Sequence, residues 1–240
     1  GSFLISRHAD LDRIYRDTTL YSSDKKAAFA PKYGAGSPLY EHHTTSLVFS
    51  DPPLHTRVRK IMTSALTPRA IARMEPGLLK TVDHLLDRMA EQGEADLIED
   101  FASSIPIQII GNLLDVPMEE RGPLRDWSLA ILGALEPALT EEQLQTGHRA
   151  VEEFKSYLTD LIARRRANPG DIETDVLTRL IRGEGADATL SEIELIQNCI
   201  FILNAGHETT TNLIGNGLAL LNDHPDQKAR LLADPGLIKP

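Results

Sequence analysis

A chain of 240 residues with 41% hydrophobic and 25% charged residues has the make-up of a folded globular protein and not of a disordered one. Aromatic residues are only 5%, so Leu, Ile and Ala must supply the core, which favours helix packed on helix over a β-sandwich. The net charge of -10 speaks against nucleic-acid binding, and the single cysteine, Cys199, excludes an internal disulfide and a cysteine-rich metal site.

The early charges Arg7, Asp10, Asp12 and Arg13 do not make a signal peptide. No apolar run approaches the roughly 20 residues that span a bilayer. The expectation is a cytoplasmic protein with no membrane partner.

In chain order, Phe3-Leu4-Ile5-Ser6 predicts a short strand, and Asp10 to Arg16 a short helix with Leu11, Ile14 and Tyr15 on one face. Residues 22–47, with Pro31, Gly34, Gly36 and Pro38, read as a long loop with a helical turn at most, and a loop of that length is often functional. Ser50-Asp51-Pro52-Pro53 predicts a helix start, Asp51 capping and Pro52 in the first turn, with the helix running to about Leu66. Thr67-Pro68 repeats the signal. Pro76 reads as an interruption, followed by a stripe of Leu78, Leu79, Val82, Leu85, Leu86 and Met89 that ends near Gly93.

Ala95 to Phe101 reads as the start of a strand, and Ile105 to Leu114 as an apolar helix. Two helices follow over 120–136 and 141–167. The second is amphipathic, with Val151, Phe154, Leu158, Leu161 and Ile162 on one side, and its Arg164-Arg165-Arg166 reads as charge complementing the helix dipole, with a binding patch as the lesser alternative. Asn168 to Asp171 form a turn, and Asp175 to Arg182 a short helix. Thr189 with Glu192 three residues on predicts a capping box that opens the longest helix, which runs to Asn222 over about 48 Å. Its Cys199-Ile200-Phe201-Ile202-Leu203 stretch is apolar on every side and therefore buried. No linker divides residues 1–240, so the expectation is one mainly α domain.

Two segments carry chemistry. Ala205-Gly206-His207-Glu208-Thr209-Thr210 puts a glycine, a carboxylate and hydroxyls at the middle of the longest helix. Gly206 costs about 1 kcal/mol there relative to Ala. Such devices weaken a helix used only for packing. The packing alternative is that Gly206 permits a close helix crossing and Thr209 bonds back to the Ala205 carbonyl. A zinc site of the His-Glu-x-x-His type is excluded because position 211 is Thr. The second segment places His55 and Arg59 one helical turn apart, where they either grip a carboxylate or phosphate or form a solvated basic face.

In order and separation, the two segments resemble motifs of the cytochrome P450 family. Asp51 to Arg59 looks like the start of the family's C helix, whose His and Arg contact haem propionates. Residues 205–210 look like its I-helix signature. The resemblance implies a mainly α, incomplete cytochrome P450 fold: a first strand and B helix at 3–20, the B–C loop at 22–50, helices C to I to residue 222, and the start of the J region at 225–240. The family's Glu-x-x-Arg pair and Cys-containing ligand loop are not among residues 1–240. Cys199, mid-helix and apolar, does not resemble the haem ligand, so this segment alone is not expected to build a thiolate haem site.

The resemblance further implies heme b (iron-protoporphyrin IX) and monooxygenation of a small apolar substrate by O2. His55, Arg59, Ala205, Gly206, Thr209 and Thr210 would line the cofactor. Thr209 would hydrogen-bond the activated oxygen and Glu208 would relay protons to it. Substrate contacts would come from Phe29, Tyr33, Leu39, Tyr40, His42 and His43 and from Leu129 to Leu139. Electrons would come from a ferredoxin and its reductase or a fused reductase, with Arg57, Lys60, Arg69 and Arg73 as a candidate docking patch. The alternatives are a peroxide-using haem enzyme and a non-catalytic all-α binding module.

Overall fold

The computed structural model describes residues 3–173, 175–183 and 189–238, and among these every regular element is helical and no strand occurs. The helices are α1 (His8–Arg16), α2 (Lys26–Tyr33), α3 (Pro38–Thr45), α4 (Leu54–Ala65), α5 (Pro68–Ala72), α6 (Glu75–Gln92), α7 (Ser104–Leu113), α8 (Leu124–Gly133), α9 (Glu141–Ala167), α10 (Val176–Arg182), α11 (Glu192–Asp223) and α12 (Pro225–Ala233).

Local chemistry explains where the expected elements shift. Phe3 to Ser6 is not a strand: Phe3 and Leu4 are almost fully exposed, with no neighbouring strand to supply a ladder. The strand expected at 95–101 is instead a π-helical turn, Leu97–Ala102. The Asp96 carboxylate accepts from the N–H groups of Ile98 and Glu99 at 2.8 and 3.0 Å, which nucleates a helical turn and blocks extension.

Residues 22–47 are not a loop but hold α2 and α3. Ser37 caps α3, its hydroxyl accepting from Tyr40 N, and Pro38 sits in the first turn, where its missing N–H costs nothing. Pro76 likewise lies in the first turn of α6 and does not break it. That helix ends on Gly93 at φ 79°, a left-handed stop that only glycine takes without strain.

Asp51 does not cap α4 with its side chain. Its carboxylate turns back to Ser22 and to Ser23 N at 2.8 Å, while its main-chain carbonyl accepts from His55 N at 3.0 Å. The helix begins at Leu54, two residues later than expected. On α11 the capping box is Ser191 with Glu194, not Thr189 with Glu192. Both pairs have the required spacing. Glu194 decides between them because its carboxylate also accepts from Arg57 of α4, which in turn donates to the Thr189 carbonyl.

α11 is the axis. It packs against α3, α7, α8 and α9, and its 32 residues span about 48 Å. Phe154, Leu158 and Ile162 of α9, Ile131 of α8, Leu39 of α3 and Ile200 of α11 are all under 2% exposed and form the centre of one core. Each contributes about 1.5–3 kcal/mol by leaving water. Gly147 lets α3 approach α9: a Cβ there would stand 3.0 Å from Leu39 Cδ1.

Candidate active site on the central helix

The environment of α11 changes at mid-helix. From Leu195 to Ile200 every residue is buried. From Ala205 onward one stripe opens: Ala205, Glu208, Thr209 and Asn212 are exposed, at i, i+3, i+4 and i+7. A second stripe, Asn204, His207 and Thr211, is buried, and Asn204 flanks the open one, one turn before Glu208. A carboxylate and a hydroxyl thus stand exposed on a flank of the helix directly after its fully buried stretch.

Both packing features anticipated for this segment are present. Thr209 Oγ1 donates to the Ala205 carbonyl at 2.6 Å. The space beside Gly206 is filled from α7, since a Cβ at 206 would stand 2.8 Å from Ile110 Cδ1. Room on the open stripe therefore comes from Ala205, not Gly206, and Thr210 is half-buried to one side. The Thr209 oxygen keeps accepting capacity toward the stripe.

His55 is half-buried and Arg59 exposed, and both line a cavity of about 650 Å³ with Tyr21, Phe49 and Asp51. Arg59 forms no ion pair or side-chain hydrogen bond with a described residue. Asp51 is held below the usual carboxylate range by its bonds to Ser22 and Ser23, with His55 adding a smaller electrostatic pull. None of residues 205–210 lines this cavity. The two clusters are bridged by α3 and the turn after it: Leu47 N donates to Asn198 Oδ1 at 3.0 Å, His42 bonds to α11, and Phe49 packs edge-on against Phe29 at 5.1 Å.

Several residues expected at a substrate pocket belong to the core instead. Tyr33, Leu39, His42 and His43 are under 5% exposed, because 22–47 folds into helices that pack inward. Tyr33 donates to the Ala134 carbonyl at 2.7 Å. Phe29 and Tyr40 stay half-buried. Between Leu129 and Leu139, Ile131 and Ala134 are core while Leu132, Leu135 and Leu139 are half-buried. Burial pushes the His42 imidazole down to about 4 against the upward pull of its Gln197 bond, and His43 down to about 2, with His42 and Lys32 adding to the effect. His207 is lowered by burial and by Arg125, and neither ring nitrogen has a hydrogen-bond partner among the described residues.

Sequence reasoning missed the buried amides Gln197, Asn198 and Asn204. The available signal was their place at the edges of the apolar Cys199–Leu203 run. Cys199 is fully buried and its thiol is pushed up to about 12, which keeps it protonated and inert. Of the proposed docking patch, Arg57 pairs with Glu194, Arg69 with Glu173 at 3.0 Å and Arg73 with Asp171 at 3.9 Å, leaving Lys60 as its exposed member outside these pairs. Among the described residues no cluster of His, Cys, Asp or Glu could hold a metal ion, and no helix is long and apolar enough to cross a membrane.

Among the described residues these features define an all-helical fold whose central helix turns an acid–hydroxyl pair toward an exposed face. A cytochrome P450 family profile matches residues 127–234. Cytochrome P450 107B1 of Saccharopolyspora erythraea is 37% identical over 245 residues, covering 99% of this chain and 57% of that relative. Vitamin D(3) 25-hydroxylase of Pseudonocardia autotrophica is 34% identical, covering 98% and 56%. Among solved structures, CalO2 superposes with a TM-score of 0.87 at 29% identity, over 97% of this chain and 57% of that one. The chain belongs to the cytochrome P450 family and spans a little over half the length of these relatives.

The family's cofactor is haem, and the residues present fit it. The open stripe offers Ala205 with little bulk, and the cavity at α4 offers a guanidinium that has no anionic partner among the described residues, beside an imidazole, a donor set suited to carboxylates.

Proposed function

We propose that the full-length protein is a haem-dependent monooxygenase that places one oxygen atom of O2 into a small, largely apolar organic substrate. The observation that carries this reading is the open stripe of Ala205, Glu208 and Thr209 at the centre of a helix buried just before it. Heme b, when bound, supplies O2 activation. The chain's own groups bind, exclude water and manage protons. His55 and Arg59 hold the cofactor's carboxylates. The apolar core behind α11 keeps bulk water from the rear of the site. Glu208 carries protons from solvent, and the Thr209 hydroxyl passes one on, letting go of the Ala205 carbonyl to do so.

The two electrons come from a ferredoxin and its reductase, or from a fused reductase, in the cytoplasm. Lys60 is the exposed docking charge on α4 that stands outside the ion pairs of its neighbours. A peroxide-using enzyme would have no need of the Glu208–Thr209 pair. A non-catalytic binding module would have no need of an open acid–hydroxyl stripe.

The test is to reconstitute the full-length protein with haem, reduce it and add carbon monoxide. A thiolate-type Soret shift is expected. Failure to take up haem would point to the binding module, and haem uptake without the thiolate-type shift would sink the monooxygenase reading.

A further inference from the structure

Helix α3 is tied to α11 by a chain of polar groups with its charge at one end only. Lys155 Nζ of α9 donates to Glu41 Oε1 at 2.6 Å, and Gln197 Nε2 donates to the same oxygen at 3.0 Å. The Gln197 carbonyl oxygen meets His42 Nδ1 at 2.8 Å, and His42 Nε2 meets Asn204 Nδ2 at 3.3 Å. Gln197, His42 and Asn204 are 0%, 2% and 4% exposed.

The chain has one consistent polarity. An ionised Glu41 can only accept, so the Gln197 amide has a single orientation. His42 must then carry its proton on Nδ1, and its Nε2 must accept from Asn204. The charged and titratable groups around this imidazole are His43, 4.9 Å away ring to ring and itself facing Lys32, and Glu41 with Lys155 behind Gln197. Apolar side chains would fill the same space with no such demand. What the polar chain adds is one defined seat for α3 on α11. Asn204 immediately precedes Ala205 and lies one turn before Glu208.

We propose that Gln197 and Asn204 are positioning residues for the substrate of the reaction above. Through His42 they fix where α3 sits beside the Ala205–Glu208–Thr209 stripe, and so fix one wall of the substrate's space. This rests on the monooxygenase reading.

The experiment uses the full-length haem protein and two iron ligands, imidazole and 4-phenylimidazole, whose ring nitrogens bind alike while only the phenyl group reads the wall. In Gln197→Leu, 4-phenylimidazole should weaken about fivefold or more relative to imidazole, the effect of unmaking buried hydrogen bonds. Gln197→Glu should weaken it as well, because two carboxylates then face each other. Histidine 15N shifts of the carbon-monoxide form should show His42 protonated on Nδ1 in the wild type.

An unchanged ratio in Gln197→Leu, or a His42 proton on Nε2, overturns the proposal. Asn204→Ala is the milder probe if Gln197→Leu does not fold, and it should weaken 4-phenylimidazole in the same sense. Absence of haem uptake by the wild type would instead defeat the monooxygenase reading, and the tautomer, read on the apo full-length protein, would still judge the clamp.

Discussion

The Thr209 hydroxyl is bonded to a carbonyl of its own helix, and it stands on an exposed flank. Removing a back-bond of this kind changes stability little. Thr209→Ala should therefore leave unfolding within about 0.5 kcal/mol of wild type, while product formed per reduced nicotinamide consumed falls severalfold. Unchanged coupling would remove Thr209 from the reaction. Glu208→Gln should slow turnover on the order of a hundredfold, the usual worth of a positioned proton carrier. Gly206 is tested by size. Gly206→Ala meets only the tip of Ile110 and gains helix propensity, so it should stay within about 1 kcal/mol. Gly206→Val should lose about 1–3 kcal/mol by overpacking. The motif at 205–210 and the His55–Arg59 spacing were legible because each is local. The His42 bonds to Gln197 and Asn204 were not, because the partners lie 155 and 162 residues apart and a lone amide has no period to betray it.

At the scale of elements, the long helices were legible from periodicity, and the ends moved wherever a second partner competed for a cap. Thr189 and Ser191 offer the same capping-box spacing, and only the Arg57–Glu194 pair, a contact from α4, selects Ser191. Ser191→Ala should accordingly cost about 1 kcal/mol in denaturant unfolding, and Thr189→Ala almost nothing. Equal losses would contradict the placement of the cap. Residues 22–47 read as a loop because glycines and prolines are frequent there, yet the prolines of α3 and α6 fall in first turns, where they favour helix. Asp51 is the same lesson reversed. Its capping signal is sound, but Ser22 and Ser23 take its carboxylate first.

Across the whole molecule, the buried histidines set a pH dependence. His42 and His43 titrate near 6.5 when unfolded, and folding lowers them to about 4 and about 2. Between those values the unfolded chain binds more protons than the native one. Stability is then fully present above about 6.5 and declines as pH falls toward 4. His43 sits against Phe29, Tyr33 and Phe49 with its Nε2 unbonded among the described residues, so His43→Phe should be tolerated. The thermal midpoint of His43→Phe should exceed that of wild type by more at pH 5 than at pH 8. An equal difference at both would show that His43 does not contribute to the acid lability.

The α4 cavity and the α11 stripe are the two ends of one proposed cofactor seat, and in this structure they are linked through α3 and the turn that follows it and through the Arg57–Glu194 pair of α4 and α11. A crystal structure of the full-length protein loaded with haem tests that directly. It should place His55 and Arg59 within hydrogen-bonding distance of the porphyrin carboxylates, and Ala205 and Thr209 against the ring's oxygen-binding side. A porphyrin held elsewhere, or carboxylates bound without His55 and Arg59, would contradict it.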